Sequence, residues 1–217
     1  MSNNIQAVIW DMDGVIIDSG EAHRLAWHRM ALDDGLPLTD EQFWSTFGQR
    51  NDEIIHTIWG SFPQATWQEM SDRKERYYRD AARTTAVALP GAIELLSELH
   101  AAGYPQALAS SAPVANIELV SEVLGLNRYL DALVSGDTVP RGKPAPDVFL
   151  KAAETLGMAP SVSLVIEDAV AGVQAAHAAG MRCIAVAGER DLAGLRVAEL
   201  MVKSLTEVNL AKIRSMA

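Results

Sequence analysis

Apolar residues in this chain recur with two different periods, and the change between them falls near residue 86. Short apolar runs bounded by turn residues read as buried strands, whereas apolar positions three and four apart read as one face of a helix. Ala7-Val8-Ile9-Trp10 is such a run, and it breaks into Asp11-Met12-Asp13-Gly14, so a strand ending in a turn is predicted. Beyond Asp18-Ser19 the pattern is helical. Glu21 to Leu32 carries Leu25, Trp27 and Met30 and stops at Gly35-Leu36-Pro37. Asp40 is placed to cap a short helix, Asp52 to Trp59 carries Ile54, Ile55 and Ile58, and Trp67 to Ala82 is long and charged. No convincing strand occurs between Thr39 and Arg83, which predicts an all-helical insertion.

From residue 86 short apolar runs alternate with amphipathic helices, the pattern of a parallel α/β sheet. Helices are predicted from Pro90-Gly91 with Ile93, Leu96 and Leu99, through Ile117, Val120 and Leu124, from Pro146 with Phe149, Ala153 and Leu156, and over Ala169 to Ala179. Strands are predicted at Gln106 to Ala109, Ala132 to Val134, Val162 to Ile166 and Arg182 to Ala187. The tail from about residue 190 gives only a faint helix and strand pattern. A doubly wound, Rossmann-like parallel sheet with an inserted helical domain follows. The core is expected over 1–17 and 86–217 and the insertion over 18–85.

Composition narrows this picture. At 217 residues, 49% of them hydrophobic, the chain can bury a core without disulfides or structural metals. Eighteen basic against 28 acidic residues leave a formal charge of −10, which argues against nucleic acid or an anionic membrane as partner. The single cysteine, Cys183, lies in an apolar run and reads as a buried strand residue. The first four residues lack the basic opening of a signal peptide, and no apolar run approaches the ~20 residues of a membrane span. A soluble cytoplasmic protein, monomeric or weakly dimeric, is expected.

Ligands of open parallel sheets bind at the carboxyl ends of strands. Three predicted strand ends there carry chemistry: Asp11-Met12-Asp13, Ser110-Ser111 and Glu167-Asp168. Asp11 and Asp13, two apart, share a side if the chain stays extended through Met12. Alone, this run reads equally as an acidic turn. Four converging carboxylates would repel one another, and bound Mg²⁺, which prefers hard oxygen ligands, is the economical remedy. Lys143, in the proline-braced Gly142-Lys143-Pro144-Ala145-Pro146, is either a solvated loop charge or a point charge for phosphate. Ser110 is either a turn former or a hydroxyl donor to a phosphate oxygen.

Taken together and in this order, Asp11-Met12-Asp13-Gly14-Val15, Ala109-Ser110-Ser111, Gly142-Lys143-Pro144 and Glu167-Asp168 resemble the motifs of the haloacid dehalogenase superfamily of phosphotransferases. The helical insertion is similar to the cap of the subgroup that contains β-phosphoglucomutase and small sugar-phosphate phosphatases. The resemblance implies Asp11 as nucleophile, forming an aspartyl-phosphate, and Asp13 as general acid and then base, its backbone carbonyl a metal ligand. It implies Lys143 as the charge offsetting anion–anion repulsion, and Glu167 and Asp168 as completing a Mg²⁺ shell, Glu167 directly or through water. Ser110 and the amide of Ser111 would hold phosphoryl oxygens. Asp13 favours phosphate esters over halides, whose departure needs no proton.

Substrate choice is expected in the cap. Phe47-Gly48-Gln49-Arg50-Asn51 is similar in position to the subgroup's specificity loop, with Gly48 permitting close backbone approach and Arg50 either a ligand for phosphate or sugar or an exposed turn residue. Asn51 stands where the mutase pattern has its arginine. His23 and Trp27, four apart, share a helical face, and each is either a substrate contact or cap packing. Lys74, within Asp72-Arg73-Lys74-Glu75-Arg76, reads as one charge on a solvated helix face. The two connections between core and cap would allow hinge motion that admits substrate and then excludes water. The expected activity is Mg²⁺-dependent hydrolysis of a small phosphorylated sugar or related metabolite. Mutase chemistry of the β-phosphoglucomutase type, and a non-catalytic phosphate-ligand sensor, are the alternatives.

Overall fold

In the computed structural model, which describes residues 4–188 and 193–216, six strands form one parallel sheet. They are β1 (Ala7–Trp10), β2 (Gln106–Ser110), β3 (Ala132–Ser135), β4 (Ser163–Glu167), β5 (Arg182–Val186) and β6 (Leu200–Val202), in the spatial order β3-β2-β1-β4-β5-β6. The chain winds outward from β1 through β2 to β3, then returns to the other side of β1 with β4. That reversal opens a crevice at the carboxyl ends of β1 and β4, the ligand position of doubly wound sheets. The helices in chain order are α1 (Gly20–Asp33), α2 (Asp40–Thr46), α3 (Asn51–Trp59), α4 (Gln64–Thr85), α5 (Ala92–Ala101), α6 (Val114–Val123), α7 (Asp147–Leu156), α8 (Val170–Ala178) and α9 (Leu210–Arg214). This is the α/β class expected, with the helical insertion between β1 and β2.

Every residue of β1, β2 and β4 is buried, which is why these strands read as runs rather than as alternations. On one side of the sheet, Ile9, Ala107, Val165 and Cys183 pack with Phe149 of α7 and Val173 of α8. Burying a side chain of this size contributes about 1.5–3 kcal/mol. Gln106, polar yet buried, is satisfied on both sides of its amide: it accepts from Trp10 Nε1 at 3.0 Å and donates to Leu96 O at 3.0 Å and Tyr129 O at 3.2 Å.

Two compact units result, one of Met1–Asp18 with Val87–Ala217 and one of Ser19–Ala86. In the second, Trp27, Met30, Phe43, Ile54, Ile55 and Met70 make a core. Leu25 is not part of it and is half exposed, because it lies about 200° round α1 from Trp27. The inward face of α1 is His23, Ala26, Trp27, Met30 and Ala31. Thr39, not Asp40, caps α2: its Oγ1 accepts from Gln42 N at 3.2 Å while Gln42 Oε1 accepts from Thr39 N at 3.0 Å. Asp40 instead pairs with Arg24 and His28. Of the tail, 190–192 lie outside the described residues; beyond them β6 and α9 form. No helix among the described residues is long and apolar enough to cross a membrane.

Candidate active site

The pairing of Trp10 with Ile166 brings the next residues of β1 and β4, Asp11 and Glu167, side by side, and Asp11 N donates to Ile166 O at 2.9 Å. Lys143 arrives from the loop before α7, its Nζ donating to Asp11 Oδ1 at 2.5 Å and to Glu167 Oε1 at 2.6 Å. The ammonium also lies 4.8 Å from the centroid of the Phe149 ring. All three side chains are at least nine-tenths buried, so Lys143 is no solvated loop charge.

Glu167 is fully engaged. Besides Lys143 it accepts from the amides of Asp168 and Ala169, both at 2.6 Å on Oε2. Glycines make room for these carboxylates. A Cβ on Gly172 of α8 would overlap the Glu167 carboxylate, and one on Gly14, whose φ is +82°, would overlap that of Asp168. Asp11, Glu167 and Asp168 each offer an oxygen within 4.8 Å of the others. Three buried carboxylates against one ammonium leave two formal negative charges, a hard-oxygen site that suits a divalent cation.

The charges show the same excess. Burial raises the Asp11 pKa well above the carboxylate norm; Lys143 pulls it down, but Glu167, Asp168 and Asp13 push it further up. Burial draws Lys143 toward its neutral form, yet the carboxylates of Asp11 and Glu167 outweigh that and hold it above the usual lysine range.

Asp13 does not continue the strand. Ile16 N and Ile17 N both donate to Met12 O, and Gly14 N donates to Ile17 O, so the chain turns back on itself after Met12. Asp13 is close enough to act on Asp11 electrostatically, while the three-carboxylate cluster forms without its side chain. At the end of β2, Ser110 is buried and its Oγ accepts from Ala112 N at 3.1 Å, which leaves the hydroxyl proton to donate elsewhere. Ser111 is held against Gly136, where a Cβ would come within 2.8 Å of Ser111 O.

The other candidates sit in the helical unit, where the structure joins some and separates others. Trp27 packs in the core, 6.0 Å from the Trp59 ring. Gly48 is exposed with φ +92°, serving its turn. Arg50 precedes α3, with Nε 3.7 Å from Asp52. His23 and Asn51, by contrast, join residues that the sequence pattern concealed. Lys74 is buried, not solvated: it donates to Glu75 Oε1 at 2.7 Å and lies 2.9 Å from His23 Nδ1. Asn51 donates to the same Glu75 oxygen at 2.8 Å. The signal available was spacing, since Ser71, Lys74, Glu75 and Tyr78 fall on one face of α4 as His23 and Trp27 do on α1.

A family model described as haloacid dehalogenase-like hydrolase matches residues 5–180. The chain belongs to this family. Validoxylamine A 7'-phosphate phosphatase of Streptomyces hygroscopicus subsp. limoneus is 32% identical over 94% of this chain and 95% of its own length. The β-phosphoglucomutase of Bacillus subtilis is 33% identical over 95% and 92%. A crystal structure of a family IA, variant 3 hydrolase from Entamoeba histolytica superposes with a TM-score of 0.87 at 26% identity, covering 98% of this chain and 99% of that one. As a haloacid dehalogenase-like hydrolase the chain is an enzyme, and its buried acidic cluster can hold a metal ion.

Proposed function

We propose that this hydrolase is a Mg²⁺-dependent phosphatase of small phosphorylated sugars or related polyols, acting through an aspartyl-phosphate. The observation that carries the reading is the Lys143 ammonium held between Asp11 and Glu167 in a buried cluster with net negative charge. Asp11 Oδ attacks phosphorus in line, forming the acyl-phosphate bond as the ester P–O bond breaks, and Asp13 gives its proton to the departing alkoxide. Water then attacks the same phosphorus and yields a proton to Asp13, releasing inorganic phosphate and free Asp11. Lys143 stays between Asp11 and Glu167, offsetting the approach of one anion to another. Ser110 and the Ser111 amide donate to phosphoryl oxygens. Asp11 and Asp168, with Asp13 and the already engaged Glu167 around them, would hold Mg²⁺. When bound, that ion supplies Lewis acidity and favours the ionised form of Asp11.

Identities of 32% to a phosphatase and 33% to a mutase do not choose between hydrolysis and mutase chemistry. The loop after β2 favours hydrolysis. A mutase must also hold a second phosphate, and Ala112-Pro113-Val114 brings no cation beside Ser110-Ser111. Proline has no amide proton there, and the Val114 amide faces Asp137 Oδ2 at 3.4 Å. The test is ³¹P NMR of the protein with Mg²⁺ and a panel of sugar, hexitol and cyclitol phosphates. The panel includes β-glucose 1-phosphate primed with trace glucose 1,6-bisphosphate. Growth of inorganic phosphate is expected. Conversion of the 1-phosphate resonance into a 6-phosphate resonance with little free phosphate would establish the mutase instead.

A further inference from the structure

The helical unit buries an ion pair, Lys74 and Glu75, whose charged atoms lie 2.7 Å apart. Lys74 and Glu75 are 2% and 5% exposed, on a face of α4 that elsewhere packs Met70, Tyr78 and Ala82. Desolvating such a pair cancels much of its attraction, and well-packed apolar residues usually do as well or better. Around this pair the donors of Lys74 and Asn51 have defined acceptors. The Lys74 ammonium, which has no lone pair, donates to Glu75 Oε1 and to His23 Nδ1, and it lies over the rings of Trp27 and Tyr78 at 5.1 and 5.8 Å. A ring nitrogen that accepts carries no proton, so the His23 proton resides on Nε2. The ring plane is fixed too, stacked on Tyr78 at 3.9 Å and 3°.

We infer that Glu75 is a positioning residue: its carboxylate aims the Lys74 ammonium, which sets the ring proton of His23 on Nε2, and it anchors Asn51 at the start of α3. One side chain thereby fixes the donor pattern of α1 and the placement of the 47–51 turn, two features otherwise on separate elements. The consequence for substrate selection rests on the phosphatase reading above. The placement of the His23 proton does not, and can be measured without turnover.

The experiment uses the full-length chain labelled with ¹⁵N. Long-range ¹H–¹⁵N correlation spectra of the imidazoles identify His23 by its loss in His23→Gln. Wild-type His23 is expected as the Nε2–H form. Lys74→Met removes the donor to Nδ1 and should yield a mixture of both tautomers; Glu75→Gln should shift His23 in the same direction. A wild-type ring protonated on Nδ1, or an unchanged His23 spectrum in both variants, overturns the assignment. The kinetic arm uses the ester that turns over fastest. Glu75→Gln is expected to raise KM about fivefold or more with kcat within about twofold, and its effect should not multiply with that of His23→Gln. Independent, multiplying effects overturn the relay. If Glu75→Gln does not fold, Lys74→Met/Glu75→Leu replaces the pair by apolar groups. That variant should melt at or above the wild-type temperature while losing the His23 tautomer preference; a lower melting temperature with His23 unchanged overturns the proposal. Absence of turnover on every ester refutes the phosphatase reading alone, since the spectra still decide the proton's position.

Discussion

In the proposed mechanism Asp11 attacks phosphorus in its ionised form, yet it stands where burial and neighbouring carboxylates favour its protonated form. Lys143 is the protein's own remedy, and the remaining charge is what a cation would answer. Asp11→Asn should leave the fold intact and lower phosphate release on the order of 10⁴-fold or more, measured by single-turnover assay. Retained activity would remove Asp11 from the nucleophile's role. Cys183 lies at the other extreme, a titratable residue with no reaction to serve. Burial pushes its thiol well above the ordinary 9.0, Glu167 and Glu199 add to this, and Lys143 opposes it. The folded state therefore keeps a proton that the unfolded chain releases near pH 9, so this residue's contribution to stability is present below that pH and falls as pH rises through it. At pH 8 the native thiol should react with a disulfide reagent about 10³-fold more slowly than in denaturant. Asp11 and Cys183 were legible in the sequence because each stands at the edge of an apolar run, and Lys143 because glycine and prolines bracket it. Lys74 was not, since a lysine among charges has the same pattern whether α4 turns it toward water or toward His23.

Elements decide what these residues can reach. The strands were legible because β1, β2 and β4 are covered on both faces and must be apolar throughout. Helix ends were less so, because Thr39 and Asp40 are both good caps and only the reciprocal bonds to Gln42 show which one serves. Least visible was close packing. Gly172 lies inside α8, where alanine ordinarily stabilises a helix by about 1 kcal/mol. Here a Cβ would meet the Glu167 carboxylate, which in turn orients Lys143. Gly172→Ala should therefore reverse the helix rule, destabilising the protein by about 1–3 kcal/mol in urea titrations and lowering kcat. A gain in stability would show that α8 can shift away from β4 at little cost, and that the pressure of helix on strand does not hold the carboxylate in place.

At the scale of the whole molecule, the doubly wound order is what turns scattered motifs into one site. Asp11 and Glu167 are far apart in sequence and adjacent only because β4 returns to the side of β1 opposite β2. The sheet thus assembles an excess of buried negative charge, which a cation bound by the folded state would offset. Anything bound by the folded state alone stabilises it by RT ln(1 + [L]/Kd), about 2.7 kcal/mol at a concentration 100 times Kd. Adding Mg²⁺ to metal-free protein should raise the melting temperature, and the Mg²⁺ midpoint for this rise should match the midpoint for activity if one site serves both. EDTA should abolish turnover and reverse the thermal shift together. Asp168→Asn removes one oxygen charge from the cluster, so both midpoints should move to higher Mg²⁺ by the same factor. Turnover that survives EDTA, or an activity midpoint that moves while the thermal one stays, would separate the acidic cluster from the chemistry. Asp11, Glu167 and Asp168 would then be left with the repulsion that the metal was invoked to relieve.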